Sequence, residues 1–127
     1  GWRAPAEFRA ALRRARVYAG GARWEDFGQA PLEALADGAL LATVPSGGPF
    51  EALTLARELG PGLVAPSLEP ASLAAALRAA FELGEPEAHA YRERAGERLQ
   101  RFDPGAIERV VERDVVPALL SCGGPSP

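Results

Sequence analysis

The run Ala39-Leu40-Leu41-Ala42-Thr43-Val44 constrains the fold more than any other stretch. It is of strand length and almost wholly apolar, entered from Gly38 and closed by Pro45-Ser46-Gly47-Gly48-Pro49. A strand with one wet face alternates polar and apolar residues; one that does not alternate is covered on both faces, as in parallel sheets. Two shorter apolar runs accompany it, at 16–19 (RVYA) closed by Gly20-Gly21 and at 62–65 (GLVA) closed by Pro66. Strands alternating with helices imply parallel pairing through right-handed crossovers.

The stretches between have helical period. Residues 6–15 put Phe8, Ala11, Leu12 and Ala15 on one face and Arg9, Arg13 and Arg14 outside. A short helix is expected over about 29–37, with Pro31 in its first turn and Gly38 just past its end. Another over 50–59 carries Phe50, Glu51, Leu53 and Ala56 and closes at Gly60. From Pro70 to Gly84, Leu73, Ala76, Leu77, Ala80 and Phe81 form an apolar core stripe. The next helix starts at Pro86 and turns Tyr91, Ala95, Leu99 and Phe102 inward, with the arginines of 92–101 balanced by Glu93 and Glu97 on its surface. Asp103-Pro104 caps a last helix whose Ile107, Val110, Val111 and Val115 face inward, and Pro117 predicts a kink near 113–117. The architecture expected is α/β, with about three short parallel strands, helices on both faces and C-terminal helices.

The 127 residues, 47% hydrophobic, suffice for one domain with a core, expected over 1–120 with 121–127 as a disordered tail. A chain that starts without Met and enters a helix almost at once is expected to be a piece of a longer protein. A net charge of −3 gives no footprint for nucleic acid. All the basic residues are Arg. No apolar run approaches the roughly 20 residues of a membrane span and no secretory leader is visible, so a cytoplasmic location is expected. Cys122 is the single cysteine, which leaves no intrachain disulfide, and no metal motif or cofactor signature is present. His89 reads as a surface residue, and Trp2 and Trp24 as packing residues, with Trp24 placed to border a pocket.

Residues 24–38 are densest in unusual choices. Phe27-Gly28 makes a turn in which the missing Cβ of Gly28 lets another molecule approach the backbone. The free N–H groups and positive end of the following helix make a seat for phosphate or sugar oxygens. Glu25 before the turn and Glu33 inside the helix flank that seat, so both carboxylates are expected to converge on one ligand.

The order strand, Glu25-Asp26-Phe27-Gly28, Pro31-Leu32-Glu33-Ala34, Gly38, strand, Gly47-Gly48-x-x-Glu51 resembles the second half of the C-terminal domain of group 1 retaining glycosyltransferases of the GT-B fold. The family's motif is E-G-F-G-x-x-x-x-E-A. The resemblance covers most of residues 6–115, continuing through GLVAPSLEPASLAAAL, and departs at Asp26, where Gly is usual, and at Gly20-Gly21, where Pro-Ser is usual. It implies a Rossmann-like half domain that binds a nucleotide-sugar donor. Glu25 would be the catalytic carboxylate and meet hydroxyls of the donor sugar. Glu33 would accept hydrogen bonds from both ribose hydroxyls. The backbone around Phe27, Gly28, Gln29 and Ala30 would meet the sugar and diphosphate, and Glu51 would add a nucleotide contact. The enzyme implied moves a sugar with retention to an unknown acceptor and needs no metal. In that family a cationic pair for the diphosphate and an acceptor-facing N-terminal domain lie upstream, so this chain alone is expected to be inactive. The strand at 16–19 would have an open edge that invites a homodimer. The alternatives are a non-catalytic regulatory or assembly module of the same fold, and a different doubly wound domain. Against the latter, no Asp closes the strands at Ala19 or Val44.

Overall fold

The central apolar run forms β2 (Leu40–Thr43), paired in parallel with β1 (Val17–Gly20) so that Val17 lies opposite Leu40 and Gly20 opposite Thr43. All four residues of β2 are buried, so both its faces are covered, as the missing alternation requires. The structure, a computed structural model, describes residues 3–121, and is α/β but mostly helical. The chain divides into two compact units, one ending at Glu97 and one starting at Arg98.

The third apolar run does not become a strand, and among the described residues the sheet has two. Pro61–Leu63 wind into a single 3-10 turn, and Val64 makes one isolated parallel bridge with Thr43, the Ala65 N–H donating to the Thr43 carbonyl at 2.7 Å. Pro66 has no N–H to donate, so between the turn and the proline there is room for one rung only.

The helices of the first unit are α1 (Pro5–Arg14), α2 (Gln29–Ala36), α3 (Glu51–Leu59), α4 (Pro70–Glu82) and all but the last two residues of α5 (Glu85–Leu99). Leu12 of α1 packs with Ala34 and Ala39, and Phe8 and Tyr18 close over that cluster. Phe50 is the N-cap of α3 and is buried. On α4 the buried residues are Ala76 and Ala80, with Leu73 and Leu77 half-buried. Phe81, expected in the core, is 62% exposed. One residue beyond Ala80 it lies about 100° round the helix, off the narrow alanine stripe.

Tyr91 of α5 reaches into the core, where its hydroxyl oxygen accepts the Leu41 N–H at 3.4 Å, and burial pushes its pKa up to about 12. The arginines of α5 reach farther than neighbouring glutamates. Arg92 donates to Glu85 at 2.8 Å and to the Gly38 carbonyl at 3.0 Å, and Arg94 donates to the Leu59 carbonyl at 2.9 Å. Arg92 first, then Arg16, holds the Glu85 carboxyl below its ordinary range. His89 is exposed beside Glu93.

In the second unit a 3-10 turn (Gln100–Phe102), with the Arg101 guanidinium 4.8 Å from the Phe102 ring centre, leads into α6 (Pro104–Val110), a π-helical turn (Val111–Val115) and α7 (Val116–Ser121). Asp103 occupies the N-cap position, but its side chain makes no capping hydrogen bond. The kink expected before Pro117 takes the form of this π turn. The Val116 N–H donates to the Val111 carbonyl five residues back, a widening that accommodates the following proline, which has no N–H. Ile107, Val110, Val111 and Val115, expected to face inward, are exposed. Nothing in α6, the π turn or α7 is buried, so among the described residues no element of this unit covers the stripe. Ser121, expected in the tail, ends α7; Trp2, Cys122 and the rest of the expected tail lie outside the described residues. Among the described residues no helix is long and apolar enough to cross a membrane.

Candidate functional site

The loops that leave the two strands are tied together. Trp24 forms a parallel bridge with Gly47: the Gly47 N–H donates to the Arg23 carbonyl, and the Glu25 N–H donates to the Gly47 carbonyl, each at 3.0 Å. The Ser46 hydroxyl donates to the Ala22 carbonyl at 2.6 Å. The Trp24 indole lies against Gly47 and Gly48, and its Nε1–H donates to Asp26 at 3.1 Å. Gly48 has φ +93°, and a Cβ there would overlap the Glu25 carbonyl. Residues 23–26 are thereby held on a glycine floor supplied by the other loop.

Gly28 takes a left-handed conformation, φ +79°, as N-cap of α2. Its missing Cβ makes room for the Phe50 ring, which occupies the space where that carbon would lie. The expectation that the vacancy admits a second molecule is corrected: the chain itself fills it, and Gly28 is buried. No side chain caps α2. Its first intrahelical hydrogen bond runs from the Leu32 N–H to the Gly28 carbonyl at 3.1 Å, and Pro31 has no N–H, so the donors of the first turn are those of Gln29 and Ala30.

Beside this turn opens a crevice of about 390 Å³ lined by Gln29, Ala30 and Glu33 of α2 and by Arg3, Pro5 and Phe8. Three of the residues read from the motif thus share one wall. Glu25, half-buried, is not on that wall; its charge acts on Tyr18, whose hydroxyl pKa is raised by burial and then by this carboxylate. Phe27 and Asp26 are exposed on the loop. Glu51 is the first residue of α3, where its charge favours the helix dipole.

The end of α2 carries an ion cluster that Glu33 also influences. Asp37, with its side chain only 6% exposed, accepts two hydrogen bonds from Arg9, one at 2.8 Å, and one from Arg13 at 3.3 Å. The Arg9 hydrogen bonds hold the Asp37 carboxyl below its ordinary range. Arg9 is raised chiefly by Asp37, with Glu33 also contributing. Glu33 therefore has Arg9 in its field, and Arg3 lines the same crevice.

Arg3, Pro5, Phe8, Arg9 and Phe50 were not singled out by motif reading. Phe8 carried a signal only as an apolar residue on the buried face of α1. Among the described residues no group of three or more His, Cys, Asp or Glu is placed to hold a metal. Comparison with protein-family models, with curated proteins and with solved structures finds no match.

Proposed function

We propose that this chain is the donor half-site of a cytoplasmic retaining glycosyltransferase of the GT-B type, which moves a sugar from a nucleotide-sugar to an acceptor. What supports the reading most is the crevice beside α2, where Glu33, Gln29 and Ala30 lie on one wall at an uncapped helix start. In this reading Glu33 accepts both ribose hydroxyls, and the Gln29 and Ala30 N–H groups meet the diphosphate, offsetting charge on the leaving group as the glycosidic bond breaks. A well-placed donor of this kind is worth about 3 kcal/mol in a transition state. Glu25 approaches the donor sugar from the loop. In this reading the single bridge between Val64 and Thr43 corresponds to the third strand of a Rossmann-like half sheet. In this reading transfer also requires the cationic pair and the acceptor-facing domain that the resemblance implies.

The test is calorimetric titration of the full-length protein with uridine and guanosine diphosphate sugars. Removing a charged, two-point hydrogen-bond acceptor with Glu33→Ala should weaken binding about tenfold or more. An affinity that does not change with that substitution overturns the assignment. A second reading, a module of the same fold that binds the nucleotide without transfer, is favoured by the absence of Glu25 from the crevice wall. The two readings part at Glu25→Gln, which abolishes transfer by the enzyme and leaves the module's binding unchanged.

A further inference from the structure

We infer that the Trp24 indole is a stacking surface for the ring of a sugar, an assignment that rests on the donor-site reading and adds a residue to it. The side chain is 67% exposed, yet it is not loose. Its ring is seated on Gly47 and Gly48, where a Cβ would come within 3.1 Å and 3.0 Å of ring atoms, and its Nε1–H is held by Asp26. The backbone on either side is pinned by the two 3.0 Å hydrogen bonds to and from Gly47. The rotamer freedom that a ligand would otherwise have to remove is already lost in the folded protein, which is the condition for a preorganised contact.

The neighbours of the ring select its occupant. Asp26 uses one oxygen on the indole N–H and keeps further acceptor sites. Ionised carboxylates only accept hydrogen bonds, so the ligand must bring donors at its edge and an apolar face to the ring. A pyranose does both, with C–H groups across its face and hydroxyls round its rim. An aliphatic side chain of a protein partner would desolvate this carboxylate without satisfying it. A nucleobase would stack as well, but would bring its attached phosphates toward the Asp26 carboxylate.

The experiment uses the protein's own fluorescence. The sequence holds two tryptophans, so Trp2→Phe leaves Trp24 as the reporter. This variant is titrated with UDP-glucose, UDP-N-acetylglucosamine and GDP-mannose, with UDP and GDP, and with free hexoses and trisaccharides. The expected result is a saturable change in emission with sugar-bearing compounds and none with UDP or GDP. Trp24→Ala, checked for folding by circular dichroism, should weaken binding of the same compounds about tenfold, with Trp24→Phe recovering part of the loss. Nucleotide-sugar binding with unchanged emission, unchanged affinity in Trp24→Ala, equal emission changes with UDP alone, or no response to any sugar overturns the inference. A response to free sugars with no binding of any nucleotide-sugar upholds the stacking surface and overturns the donor-site reading.

Discussion

At Gly28 two constraints meet in one residue: a left-handed backbone and a ring filling the space of a side chain. Gly28→Ala should therefore lower stability by about 2–5 kcal/mol, the sum of the left-handed penalty and overpacking. Urea unfolding measures it, and the cost should shrink in a Phe50→Ala background, because only the backbone part survives there. Tyr91 offers a test by pH. Its folded pKa of about 12 lies above the ordinary value near 10, so the folded state binds more protons between the two. Its contribution to stability is complete below about pH 10 and is lost as pH rises through about 12. Tyr91→Phe should remove that alkaline loss, seen as a flatter melting-temperature curve, and should cost about 1 kcal/mol at neutral pH for the hydrogen bond to Leu41.

Among the elements, α1 and α2 are clasped by Arg9, Arg13 and Asp37. Because the folded Asp37 carboxyl is held low, its contribution is complete above the unfolded pKa of about 3.9 and is lost as pH falls through the folded value. Asp37→Asn should melt lower than the parent at pH 7, and the gap should close in the acid range. Elements were legible where sequence carried its own punctuation. β2 lies between Gly38 and Pro45, α2 starts at the Gly28 turn, and α4 begins at Pro70. The GLVA run looked like a strand because length and polarity do not record that its first residues are spent on a 3-10 turn. The valine stripe of α6 has the period of a buried face, but period says nothing of whether a partner element exists. At the site, Gln29, Ala30 and Glu33 were legible because they are local to one helix. Arg3, Phe8 and Phe50 were not, since long-range packing brings them to α2.

For the molecule as a whole, stability is expected to be unevenly distributed. β2 is buried throughout, whereas the helices after Pro104 bury no residue. Hydrogen exchange on the intact protein should find the amides of Leu40–Thr43 among the slowest and those of 105–121 exchanging orders of magnitude faster; equal protection in both would contradict the burial pattern. The Phe50 ring under Gly28 has a consequence of its own. It couples the entrance of α2 to the entrance of α3 like a pin through a hinge, so a molecule pressing on residues 28–30 displaces the start of the neighbouring helix too. Amide signals of Glu51–Leu55 would then report occupancy of a crevice that none of those residues lines.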